Sequence, residues 1–194
     1  ADSVDTYDFS GLPISGITAR STWAQIETPN NTFNWSKLDA AVSTARAYGL
    51  YVYLHTTPGI YSPTWPYSNG VDSVVLDGNK KCPIPWDPDF IDVHWADFIT
   101  KCGQRYDGVD VVKYVAISGP NSRSVEMALA KSDTERALWI SAGFDTALII
   151  NTWKKCIDYF AAAFPHTQIV LNVTSVMQVT YTEGIAEQVV AYGA

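Results

Sequence analysis

Apolar positions along the chain follow two rhythms, compact runs and helical spacings, and the two alternate. Ile17 to Thr22 is a short run bounded by Gly16 and predicts a strand. Ser36 and Asp39 have the residue types of a capping box ahead of Leu38, Ala41, Val42 and Ala45, and Gly49 predicts the stop of that helix. Leu50 to His55 predicts a second, buried strand. A stretch rich in Pro, Gly and aromatics then runs to Trp86, far longer than the usual connection of about 4–6 residues. Such loops are often functional. From Asp87 a helix is predicted, with Pro88 in its first turn and Ile91, Trp95, Phe98, Ile99 and Cys102 at helical spacing. Tyr106-Asp107-Gly108 ends it.

Val111 to Ser118 predicts the next strand, broken by Gly119-Pro120-Asn121. A short helical stretch precedes a long helix from Asp145 to Phe164-Pro165. Gln168 to Thr174 predicts a fourth strand and Tyr181 to Tyr192 a last helix, with a possible fifth strand at Val4 to Phe9. Strands alternating with crossover helices imply an α/β fold with a parallel sheet, open or closed into a barrel. A (β/α)8 TIM barrel takes about 250 residues. The expectation is therefore a TIM-barrel-like chain, partial, with about four or five parallel strands. Residues 1–194 read as one domain, truncated at its C-terminus.

Composition narrows the function. Thirteen Lys and Arg against twenty Asp and Glu give a formal charge of −7, with no basic cluster, which argues against a nucleic-acid partner. No apolar run approaches the roughly 20 residues that cross a bilayer, so no membrane span is expected. Seven Trp and eleven Tyr exceed what a core alone demands, and such rings also make platforms on which sugars stack. Sequons at Asn30, Asn34 and Asn172, few Lys and the acidic balance point to a secreted, extracellular protein. Three cysteines without C-x-x-C spacing, and three His without clustered carboxylates, support neither a metal site nor a cofactor. If the Asp87 and Asp145 helices run side by side, Cys102 and Cys156 lie at similar depths, so they pair with each other or not at all. Cys82 stays apart.

The stretch RSTWAQIETPNNTFNWSKLDAAVSTARAYGLYVYLHTTPG, followed by PIPWDPDFIDVHWADFITKCGQRYDG, VVKYVAISGPN and a "W...I..F..AFP"-like helix, resembles retaining glycoside hydrolases of the large (β/α)8 clan. The resemblance covers roughly residues 15–175 and is nearly silent about substrate. It implies chemistry at the carboxyl ends of the strands, with the acid/base on the fourth barrel strand and the nucleophile on the seventh. Such hydrolysis needs two carboxyls about 5–5.5 Å apart. Where the family shows Asn-Glu at the end of that fourth strand, this chain shows Ser118-Gly119-Pro120-Asn121. The nearest carboxylate is Glu126, either the acid/base or a plain loop residue. The nucleophile strand is not found.

The remaining candidates come from the same strand ends. Arg20 orients a carboxylate or holds a buried ion pair, and Glu27 neutralises an arginine at the strand mouth or does chemistry. His55 and Asn121 bond sugar hydroxyls or are structural; Tyr61, Arg123, Asn172 and Gln178 accompany them. Trp65 and Trp86 are stacking platforms or pins for their own loop, while Trp23 and Trp95 read as core. The expected activity is hydrolysis of glycosidic bonds in a polysaccharide. The rival is a non-catalytic carbohydrate-binding or structural protein, and a nucleotide fold fails for want of a Gly-rich phosphate loop. A partial barrel leaves open edges, so self-association or a missing segment is expected to cover them.

Overall fold

A computed structural model of the chain describes residues 7–177 and 184–193. Strand β1 (Gly16–Thr22) leads through a short helix α1 (Trp23–Ile26) to α2 (Ser36–Tyr48), which returns the chain to β2 (Tyr51–Thr57). The long aromatic stretch is not structureless: two 3-10 turns precede an antiparallel hairpin, β3 (Ser73–Leu76) with β4 (Lys80–Pro83). A wide π-helical turn at Asp89–Trp95 opens into α3 (Ala96–Tyr106) and then β5 (Val112–Ala116). Helices α4 (Asp133–Ser141) and α5 (Thr146–Ala163) lead to β6 (Gln168–Val170), and α6 (Ile185–Gly193) follows. The main sheet has the order β1-β2-β5-β6, and every neighbouring pair is parallel. This is the α/β architecture of part of a TIM barrel.

Local chemistry accounts for several helix ends. Gly49 adopts a left-handed φ of 66° at the end of α2. Asp145 and Ser132 accept from the amides of Leu148 and Glu135 and so cap α5 and α4. The capping box, however, is not at Ser36 and Asp39. It is at Thr22 and Gln25, which cap α1 reciprocally. Asp39 instead accepts from Arg105 and from Tyr106 on α3, so its carboxylate ties two helices rather than capping one.

The strand pleat divides the sheet. Ala19, Val52, Leu54 and Val115 are buried on the helix side, whereas Thr18, Arg20, Tyr53 and Tyr114 point to the other face. Trp23, Phe90, Trp95 and Phe98 form one aromatic cluster on the helix side, with Trp95 and Phe98 stacked at 4.9 Å. The Trp95 indole donates to the Ser118 carbonyl at 2.9 Å, which satisfies its buried N–H.

Some boundaries differ from expectation. The fourth strand is shorter than Gln168–Thr174, because among the described residues beyond Val170 a single bridge, Asn172 with Glu126, is formed. At the N-terminus, residues 4–6 of the expected fifth strand lie outside the described residues, and Tyr7 to Phe9 are not in a strand. Residues 181–183 of the last helix also lie outside the described residues. All three cysteines are free and buried. Helix depth explains why Cys102 and Cys156 do not bridge. A Cβ on Gly103 would lie 2.2 Å from the Ala163 carbonyl oxygen, so α3 meets α5 with Gly103 level with Ala163. Cys156 is then offset from Cys102 by about 9 Å at 1.5 Å per residue, beyond disulfide reach.

Candidate functional site

Parallel strands place their carboxyl ends on one rim, and a cleft of about 410 Å³ opens there. Arg20 and His55 enter it as direct neighbours across the β1–β2 register. Arg20 is exposed and makes no ion pair with a carboxylate among the described residues. His55 is only 5% exposed, its ring set edge-on to Tyr53 with centroids 4.2 Å apart. Neither of its ring nitrogens has a hydrogen-bond partner among the described residues. Burial, reinforced by the positive charge of Arg20, pushes its pKa down to about 4. The imidazole is therefore neutral at neutral pH, with one donor and one acceptor uncommitted.

The third wall is the loop after β5. Gly119 holds a φ of 146°, and a Cβ there would lie 2.7 Å from both Cys156 Sγ and Trp95 Nε1. A carboxylate side chain directly after the strand end has no room against that indole. The loop goes out instead through Asn121 and returns at Glu126, where the Met127 amide donates to the Asn172 carbonyl at 3.1 Å. Glu126 reaches the cleft from this returning segment, exposed, and accepts from the Ser124 hydroxyl at 3.3 Å. Asn172 faces it from beyond β6. Its side-chain Nδ2 donates to the Tyr53 hydroxyl at 2.8 Å, and that hydroxyl lies 3.1 Å from Asn172 Oδ1.

The structure thus brings Arg20, His55 and Glu126 together in one cleft. Tyr61, Arg123 and Asn172 line it with them, whereas Asn121, Trp65, Trp86 and Glu27 fall elsewhere. Asn121 is 1% exposed and lies behind the cleft, its Oδ1 accepting from the Gly119 amide and its Nδ2 without a partner among the described residues. Trp65 packs edge-on against Trp23, 5.6 Å away, and donates to the Glu27 carbonyl. Trp86 packs against Trp139 and Phe144. Both tryptophans hold loops to the core and neither lines the cleft. Glu27 is 2% exposed and neutralises no arginine; it accepts from the Trp23 indole and the Asn31 amide, each at 2.8 Å. Burial raises its pKa. Arg123 reaches the cleft but forks onto the fully buried Glu135. Gln178 lies outside the described residues.

Sequence reasoning missed Gln25 and Lys37, which complete the wall beside Arg20. Lys37 sits in the first turn of α2, its Nζ 3.5 Å from Gln25 Oε1. The Thr22-x-x-Gln25 capping signature was the available signal, since it stops β1 at the rim and turns the chain there. Glu126 is the one carboxylate among the residues lining the cleft. Among the described residues no group of three or more His, Cys, Asp or Glu converges as a metal site would require. No helix among them is long and apolar enough to cross a membrane.

Solved structures of known proteins share the fold. Xylanase 10B from Thermotoga petrophila RKU-1, solved in complex with xylobiose, superposes with a TM-score of 0.53 at 15% identity, covering 89% of this chain and 46% of its own. A β-galactosidase from the psychrophilic Marinomonas ef1 gives 0.55 at 12% identity, over 80% of this chain and 32% of its own. Native xylanase 10B from Thermotoga maritima gives 0.51 at 14%, with 88% and 46% covered. The likeness is one of fold. The chain spans less than half the length of each of these proteins. No family model matches the sequence, and no curated protein does either.

Proposed function

We propose that residues 1–194 form one unit of a secreted, glycoside-hydrolase-like barrel whose rim cleft binds a carbohydrate, with Glu126 as the proton donor to the glycosidic oxygen. The observation that supports this most is the convergence of Arg20, His55, Glu126 and Asn172 at the carboxyl ends of parallel strands. That is where barrels of this kind carry their chemistry. The cleft suits a polyhydroxylated ligand. It offers an uncommitted neutral imidazole, a guanidinium, amide and hydroxyl groups, and the half-exposed ring of Tyr61 as a stacking surface. Tyr61 takes the role that sequence reasoning gave to Trp65 and Trp86.

Hydrolysis with two carboxyls requires a second one facing Glu126. In this reading it comes from outside the described residues. That Glu126 is the one carboxylate lining the cleft among the described residues favours a second reading, a carbohydrate-binding protein without turnover. One experiment separates them. Retention on insoluble polysaccharides and calorimetry with soluble oligosaccharides are measured alongside release of reducing ends. Tyr61→Ala weakens binding about tenfold, by analogy with aromatic stacking on flat rings. Glu126→Gln leaves binding within about twofold, and abolishes turnover where the unmodified chain shows any. Binding without turnover supports the second reading. Retention on no glycan at all removes both.

Of the three sequons, Asn30 and Asn34 are exposed, but Asn172 is engaged with Tyr53 inside the cleft. A glycan on Asn172 would fill the proposed site, so the secreted reading requires that position to remain unmodified.

A further inference from the structure

We infer that the rim cleft takes an acidic sugar, its carboxylate received by Arg20 and Lys37 and its hydroxyls by His55. The inference rests on the carbohydrate reading above and adds the class of saccharide. It starts from a contrast of charge. The chain carries −7, yet the cleft is lined by Arg20, Lys37 and Arg123 against the lone carboxylate of Glu126. Arg123 is already neutralised by the buried Glu135. Arg20 is the one arginine without an ion pair among the described residues, since Arg46, Arg105, Arg123 and Arg136 each have one; Lys37 beside it has none either, as is also true of Lys80, Lys81, Lys101, Lys113 and Lys154. Two unmatched cations at the mouth of one concavity attract an anion, and the low-dielectric walls strengthen the pull.

His55 supplies the independent observation. A polar ring that is 95% buried, lines a cleft and leaves both nitrogens without partners among the described residues is expensive unless a ligand or water completes it. Being neutral, it offers one donor and one acceptor, the pairing that a sugar hydroxyl can satisfy. A neutral imidazole next to a guanidinium divides the labour: the planar fork of Arg20 matches a carboxylate, and the ring reads hydroxyls beside it. A purely neutral glycan would leave both cations unmatched.

The test is calorimetry of the full chain with a trimer of galacturonic acid, with the same trimer after reduction of its carboxyls to alcohols, and with a sulfated neutral trimer. The acidic trimer binds at least about tenfold more tightly than its reduced counterpart, and the preference shrinks in 0.5 M salt, as screening demands. Arg20→Gln and Lys37→Gln each lower affinity for the acidic trimer about fivefold and leave the reduced trimer within twofold. Circular dichroism of each variant confirms that it is folded. Equal affinity for the acidic and reduced trimers overturns the inference while the carbohydrate reading stands. Preference for the sulfated trimer over the uronic one overturns the carboxylate assignment. Should Arg20→Gln weaken both trimers alike, Arg20 is a positioning residue held by another carboxylate, and the inference fails. Binding of none of them, together with no retention on neutral polysaccharides, removes the carbohydrate reading and this inference with it.

Discussion

The two faces of the main sheet are built on opposite terms. On the helix side the large aromatics meet one another, and most of their indole N–H groups are spoken for: Trp23 by Glu27, Trp95 by the Ser118 carbonyl, Trp139 by the Leu129 carbonyl. On the other face and its rim, tyrosines stand exposed, and among the described residues His55 has no partner for either nitrogen and Arg20 makes no ion pair. A side that is complete has settled its chemistry into stability. The unfinished side keeps chemistry available for a ligand. The aromatic excess that suggested a sugar site in the sequence is thus mostly spent on the finished side, and the candidate site is comparatively poor in tryptophan.

The sharpest way to break this contrast is to remove an aromatic from the finished side. Trp95→Ala deletes a fully buried ring stacked on Phe98 and strands the Ser118 carbonyl. It should lower unfolding free energy by about 3–5 kcal/mol, the range for large aromatic truncations. Equilibrium urea unfolding measures it. A loss below 1 kcal/mol would mean that the helix-side cluster is not the core that the packing indicates.

The same contrast explains what the sequence made legible. The four strands of the parallel sheet were legible from buried runs such as Leu50 to His55, because a strand covered by helices must be apolar on at least that face, whereas the β3–β4 hairpin inside the long aromatic stretch was not. That Arg20, His55 and Glu126 would stand on the rim was legible because strand ends and the loops after them define it. Trp65 and Trp86 were not legible as core, since periodicity is silent in loops and a loop tryptophan looks alike whether it faces a ligand or Trp23. The cap at Thr22 and Gln25 was overlooked because Ser36 and Asp39 offered a similar residue pattern before a longer helix. Asp39 shows why such a pattern is weak: its carboxylate found Arg105 and Tyr106 instead, partners far away in sequence. The pairing of Glu126 with Asn172 depends on a loop returning to the sheet, which no local pattern encodes.

A second prediction probes the unfinished side through pH. His55 has a folded pKa of about 4 against an ordinary value of 6.5, owing first to burial and then to Arg20. Between those values the unfolded chain binds the proton more readily than the folded one. The His55 contribution is therefore fully present above pH 6.5 and is lost progressively as pH falls through 4, on the order of 3 kcal/mol at 1.36 kcal/mol per unit. Glu27 works the other way, because its raised pKa favours the folded state as carboxylates protonate. The comparison must hence be between the unmodified chain and His55→Phe, which keeps a ring against Tyr53. The difference in their urea midpoints should widen with falling pH in favour of the variant. A difference that stays flat from pH 7 to 4 would show that His55 is solvated or paired, and the unfinished character of the rim would be lost.

The smallest effect is expected at the one place where the rim does finish a polar contact. The Tyr53 hydroxyl and the Asn172 side chain bond each other at 2.8 and 3.1 Å, joining β2 to the segment beyond β6. Both residues are half-buried, so water replaces the lost partner when Tyr53 becomes Phe. A net change of about 0.5–1 kcal/mol follows, the lower part of the range for an intramolecular hydrogen bond. The ring itself remains against His55, so packing is retained. Urea unfolding of Tyr53→Phe should thus shift the midpoint slightly without changing the slope. A loss above 2 kcal/mol would show this contact to be closed to water and part of the stability-bearing structure. The division between a finished helix side and an open rim would then have to be drawn beyond Asn172 rather than at the sheet.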